Sequence, residues 1–157
     1  MRTSLVISIN KIILYGLDTK DQKRPDGKTL IPWTEGLPAT WDFTCSDTLA
    51  ASYVDKTSRT AGLAAEQGEK RKIDKYKELT GRFVFYPVSV ETLGSWGELS
   101  VKFIKDIGSR IAVLTGEKRS TSFLFQSLGV AVQRGNAASV KGTLPKSRKL
   151  DEIYNLC

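Results

Sequence analysis

The sequence predicts a mixed α/β fold, and three observations carry the prediction. Short runs of β-branched and aromatic residues alternate with longer segments of helical spacing. At 157 residues, 40% hydrophobic and 26% charged, the chain suits one domain, or one domain with a small helical appendage, able to bury a real core. No internal repeat or low-complexity tract breaks that pattern.

Leu5 to Tyr15 is rich in Ile and Val without helical spacing, which predicts a strand or a broken pair of strands. Asp18 to Lys28 is polar and contains the turn signal Pro25-Asp26-Gly27. Thr29 to Trp33 reads as a short strand, with Pro32 at an edge or bulge, and Ala39 to Ser46 as its hairpin partner. Ser58 to Thr80 is the first long helix, with Ser58 or Thr57 as N-cap and Gly81 just past its end. Arg82 to Thr92 follows as a strand, Trp96 to Leu114 as a helix closed by Gly116, and Arg119 to about Val140 as a third helix. From Lys141 onward the chain reads as an irregular basic extension. The organisation expected is a poorly assigned N-terminal segment (1–22), an α/β core (23–94), a helical part of the same domain (95–144) and a basic tail (145–157).

Composition narrows the chemistry. The chain has no histidine, which excludes Ser-His and Cys-His triads, histidine-metal nucleases, mixed Cys/His zinc sites and HExxH peptidases. Catalysis must then run on Asp, Glu, Lys, Arg, Tyr, Ser or Cys. Cys45 and Cys157 make no disulfide framework, and a reducing compartment is the plainer inference. The apolar stretch from Ser4 to Leu17 is interrupted by Asn10 and Lys11, lacks a small-residue cleavage pattern and is too short to span a bilayer. The expectation is an intracellular protein with no membrane partner. Lys and Arg number 24 against 17 Asp and Glu, a net charge of +7 that favours polyanions such as nucleic acid.

Asp26 stands at the mouth of the turn before one strand and Asp42 within the next, so a hairpin would carry both carboxylates to one end. Converging oxygen donors suit Mg²⁺ or Mn²⁺, with water and phosphate completing the shell. Ordinary turn chemistry for Asp26 and a solvent-facing Asp42 are the plainer alternative. Strand periodicity sets Asp42, Thr44 and Ser46 on one face and Trp41, Phe43 and Cys45 on the other, which predicts the second as the buried apolar face. Asp47 has the wrong parity and ranks below Asp42 as a ligand.

Lys72 is out of place in the pattern. At about 100° per residue, Ala61, Ala65, Gly68, Tyr76 and Leu79 fall within about 40° of it, whereas Glu66, Glu69, Arg71 and Lys77 mostly lie elsewhere. A lysine at the centre of a small, apolar face either snorkels along the core edge or reaches the carboxylates to stabilise negative charge on a phosphate and orient an attacking water.

The succession Arg24-Pro25-Asp26-Gly27, Trp41-Asp42-Phe43-Thr44, Lys72-Ile73-Asp74-Lys75-Tyr76 and Pro87 to Trp96 resembles the restriction-like endonuclease region that follows the reverse transcriptase in some non-LTR retroelements. Those regions are similar to PD-(D/E)xK nucleases. Phe123 to Gln126 and Gln133 to Val140 add a likeness to the C-terminal ends of retroelement-derived reading frames, and the resemblance runs from about Lys23 to Leu144. It implies a restriction-endonuclease-like mixed sheet flanked by helices, with a helical C-terminal extension. It implies Asp26 and Asp42 as acids holding Mg²⁺ or Mn²⁺, Lys72 as the catalytic lysine, and Lys75 and Tyr76 as its neighbours. The activity implied is Mg²⁺-dependent DNA phosphodiester hydrolysis, in the nucleus ahead of the cytoplasm. Thr44 stands where the simplest form of the motif has its lysine, so Lys72 must substitute. This chain also lacks a polymerase portion, which makes a reverse transcriptase portion an expected partner.

DNA as substrate agrees with the basic residues. Lys70, Arg71, Lys75 and Lys77 flank the proposed site and Arg134 belongs to a basic C-terminal third; such groups neutralise phosphates without reading sequence. For any one of them a solvated face is the plainer reading. Aromatics do not interleave with these charges as in single-strand stacking platforms. The alternatives are a catalytically inactive nucleic-acid-binding module, a non-functional retroelement remnant, or a scaffold with an incidental basic charge.

Overall fold

The computed structural model describes residues 25–143. Strands and helices alternate through that span: β1 (Gly27–Lys28), β2 (Ala39–Ser46), α1 (Val54–Thr57), α2 (Leu63–Lys75), a 3₁₀ turn (Lys77–Leu79), β3 (Val84–Glu91), α3 (Glu98–Thr115) and α4 (Ser120–Thr143). The class is mixed α/β, as the sequence predicts. The strand expected over Leu5 to Tyr15, the segment 1–22 and the tail 145–157 lie outside the described residues.

The strands form one sheet in the order β1-β2-β3, with β1 antiparallel and β3 parallel to β2. Parallel neighbours require a crossover, and α2 supplies it. Residues of β2 and β3 whose side chains share a face with Asp42 lie beneath α2, and the opposite face carries α3. There Phe103 stacks on Tyr86 at 4.1 Å and stands 6.0 and 6.4 Å from Trp33 and Trp41. Ser100, Phe103, Ile104 and Gly108, at helical spacing, form the buried stripe of α3. Gly116 ends α3 in the left-handed conformation (φ 73°), and α4 packs back on α3.

The buried face of β2 differs from expectation. Thr40, Asp42 and Ser46 are buried, whereas Phe43 is 44% exposed and Cys45 is exposed. The reason is close approach. An added Cβ at Gly68 would sit 2.5 Å from Ser89 Oγ, 3.1 Å from Thr44 Cγ2 and 3.3 Å from Ser46 Oγ. Helix α2 thus lies almost directly on a floor of small polar side chains, and the bulky residues are left to the partly open face.

Three boundaries move as well. The first hairpin strand is Gly27–Lys28, not Thr29 to Trp33, because Thr29 Oγ1 turns the chain away by donating to Ile31 O and accepting from Ala39 N. The long helix begins at Leu63, not Ser58, with Gly62 at φ 89° before it; residues from Val54 form the separate turn α1. Beyond Lys75 the helix tightens into the 3₁₀ turn before Gly81, also at positive φ.

Two buried glutamates account for how the helices dock. Glu91, 1% exposed at the end of β3, accepts from the N–H of Ala64 in the first turn of α2 (2.9 Å). Glu69, 3% exposed on α2, accepts from Leu99 N (3.2 Å), Ser100 N (2.7 Å) and Ser100 Oγ (2.6 Å) in the first turn of α3. Each carboxylate therefore caps another element's helix, where orphan N–H groups and the helix dipole favour negative charge. Gly97 makes room, since a Cβ there would collide with the Glu69 carboxylate. Glu69 is thus no solvent-facing charge, which corrects its expected place off the packed face. Ser89 N also donates to Ser100 Oγ (2.7 Å) and Gly97 N to Ser89 O (3.1 Å), so the start of α3 covers the outer edge of β3.

Candidate active site

Asp42 is the centre of the arrangement. It lies mid-strand in β2, in register with Pro87 of β3, and only 4% of it is exposed. A carboxylate so placed needs partners, and both its oxygens have them. Lys72 Nζ makes an ion pair and hydrogen bond with Oδ2, and the Tyr76 hydroxyl donates to Oδ1 at 3.2 Å.

Helix and strand repeats explain the meeting. One helical turn of four residues advances about 6 Å and two strand residues advance about 6.7 Å. With α2 crossing back over β2, Gly68 rests on Thr44 and Ser46, and Lys72, one turn on, rests on Asp42. Tyr76, a further turn on, reaches the same carboxylate and packs on Phe85 at 4.9 Å. Thr44 lies under Gly68, where a longer side chain would have no room.

Asp26 completes the group from the other side. Pro25 has no N–H to extend the antiparallel ladder, and the Asp26 carboxylate takes its place, accepting from Phe43 N at 2.6 Å. Since Gly27 pairs with Trp41, one further step of the register sets Asp26 against Asp42. The structure thus brings Asp26, Asp42, Lys72 and Tyr76 together.

Burial is the main force raising the Tyr76 phenol to about 12; the charge of Asp42, the hydrogen bond to it and the charge of Asp26 add to it, and Lys72 opposes them. The phenol therefore remains a donor at neutral pH. A folded-state pKa above the unfolded value means that Tyr76 contributes stability in full below about 10, lost as pH rises through about 12. Spectrophotometric titration of the 5 tyrosines should show one phenol ionising late, near pH 12, and Tyr76→Phe should remove that step. Loss in the variant of amplitude near the ordinary phenol value of about 10 instead would remove Tyr76 from the buried network.

Lys70, Arg71, Lys75 and Lys77 are exposed around the far half of α2 and the turn after it. Arg71 is held, since its Nη1 donates to the Tyr53 hydroxyl at 2.7 Å, and the Lys75 ammonium stands 4.7 Å from the Tyr76 ring centroid. Arg134 does not join them. Its neighbour Asn136 donates to Thr92 O just past β3, whereas Lys77 opens the turn that leads back to the start of β3, so Arg134 and Lys77 occupy opposite ends of the parallel strands. No local pattern marks Tyr53, Glu69 and Glu91 as supports of this region, because their partners are 18, 31 and 27 residues away in the chain.

Whether these residues suit a divalent cation follows from the donor set. Among the described residues no group of three or more His, Cys, Asp or Glu is placed to hold a metal. A fully protein-made site of the zinc or calcium type is therefore a poor match. Two carboxylates beside a lysine do match Mg²⁺ or Mn²⁺, which keep several waters and are bound through one or two carboxylates plus substrate phosphate.

Comparison of the chain with protein-family models, with curated proteins and with solved structures returns no match. Among the described residues no helix is long and apolar enough to cross a membrane.

Proposed function

We propose that the chain is a divalent-metal-dependent DNA endonuclease with a restriction-endonuclease-like core, acting beside a reverse transcriptase portion in the nucleus. The observation that carries this reading is the convergence of Asp26, Asp42 and Lys72 from three separate segments, with Lys72 delivered by α2 onto the one buried carboxylate of the group. Asp26 and Asp42 would hold Mg²⁺ or Mn²⁺, and a cation there supplies a polarised phosphodiester and an activated water.

The protein's own groups have distinct parts in the reaction. Asp42 is fixed by Tyr76, so one carboxylate keeps a constant position while Asp26, tied to the backbone of β2, sets the other. The Lys72 ammonium stabilises negative charge as water adds to phosphorus, giving up one proton to solvent, and the P–O bond to the leaving nucleotide breaks, with the leaving oxygen taking a proton from solvent. Lys70, Arg71, Lys75 and Lys77 bind the backbone of the duplex without reading bases.

The test is nicking of supercoiled plasmid by the purified full chain with Mg²⁺ or Mn²⁺ beside an EDTA control. Cleavage that needs the metal supports the proposal. Duplex binding by folded protein without cleavage would replace it with the inactive binding module, a reading that the fully engaged carboxylate of Asp42 also fits.

A further inference from the structure

We propose that Lys72 holds the cation position on Asp42 in the resting protein, so that a divalent cation enters by displacing the ammonium and frees the lysine for the phosphate. The inference rests on the endonuclease reading and concerns how that site is switched on.

Each group around Asp42 has a different freedom to move. Tyr76 is 2% exposed, packed on Phe85, and cannot withdraw its hydroxyl without opening the core between α2 and β3. The Asp26 carboxylate is tied to Phe43 N. Lys72 has a long flexible stem and a side chain 21% exposed, against 5% for Asp42, so it has a path outward that its partner lacks. The oxygen that a cation would take, Oδ2, is the one the ammonium now occupies.

Charge balance gives the exchange its logic. In the resting arrangement two carboxylates face one ammonium, leaving one net negative charge to attract a cation. A divalent ion turns that into one net positive charge, which a phosphodiester anion neutralises. The ammonium then leaves Asp42 most readily when a phosphate is present to receive it, so cation and DNA each tighten the other's binding. Without DNA, Lys72 competes with the metal, and the protein holds its cation weakly.

Removing the competitor should therefore strengthen metal binding while destroying activity, the reverse of what a supporting residue would do. Mn²⁺ is titrated into the DNA-free full chain, and free ion is counted by electron paramagnetic resonance. Lys72→Gln is expected to bind Mn²⁺ about tenfold tighter than the unaltered chain, since one positive charge is lost directly beside the ion. Lys105→Gln, which removes a charge from the exposed side of α3, should bind like the unaltered chain. Should Lys72→Gln not fold, Lys72→Met keeps the stem and serves instead. Its melting temperature should rise more with Mn²⁺ than that of the unaltered chain, because the unpaired buried carboxylate gains its partner back.

Equal or weaker Mn²⁺ binding in the Lys72 variants, with binding still lost in Asp26→Asn, would overturn the displacement and leave the metal site standing. Mn²⁺ binding that ignores Asp26→Asn in every variant would remove the metal site itself, and this inference with it.

Discussion

Asp42→Asn is expected to lower metal-dependent plasmid nicking by at least about a hundredfold while leaving duplex binding within a few-fold of the unaltered chain. The substitution is nearly isosteric, and its carboxamide oxygen can still accept from the Tyr76 hydroxyl that now bonds Oδ1. What it loses is the charge that pairs with Lys72 and that a divalent ion would need. The basic residues of α2 are untouched, so a filter-binding or anisotropy measurement separates the two roles. Nicking at the unaltered rate would remove Asp42, and with it the buried centre of the proposed site, from catalysis.

Glu69→Ala is expected to lower stability by about 3 kcal/mol. Its carboxylate accepts from Leu99 N, Ser100 N and Ser100 Oγ at once, all at the buried start of α3. Truncation strands those donors away from water and removes negative charge from the helix end. A fall of roughly 10 °C in melting temperature follows for a chain of this size. Glu69→Gln, which keeps one acceptor oxygen, should lose less than half as much. A melting temperature within about 2 °C of the unaltered chain for Glu69→Ala would show that α3 docks without this cap.

Local pattern made much of the fold legible and contact between distant segments hid the rest. The run Ala39 to Ser46 reads as a strand from its β-branched and aromatic content, and its parity separates Asp42 from Trp41 correctly. Which face is covered by α2 is not legible in the run itself, since hydrophobicity favours Trp41, Phe43 and Cys45. The decisive fact is that Gly68 lets α2 settle on Thr44, Ser46 and Ser89, and no single segment contains that information. The same holds at the start of α2. A local N-cap at Ser58 or Thr57 is the natural reading of the sequence, but the first-turn N–H of Ala64 is satisfied by Glu91, a residue of the following strand. Lys72 was legible for the opposite reason: a lysine centred on a small, apolar face is a conflict visible within one helix, and its resolution at Asp42 needs only the helix and strand repeats. Arg134 is a candidate by charge alone, and charge carries no direction in space.

The paired caps also give the molecule a chain of custody. Glu91 at the end of the sheet holds the first turn of α2, and Glu69 on α2 holds the first turn of α3. α2 is both guest and host. If it lifts from the sheet, α3 loses its anchor in the same event, and Lys72 and Tyr76 leave Asp42 together. Slow amide exchange should accordingly disappear from both helices at one common free energy instead of fraying helix by helix. Lifting α2 therefore takes Lys72 and Tyr76 from Asp42 and the anchor from α3 in one step.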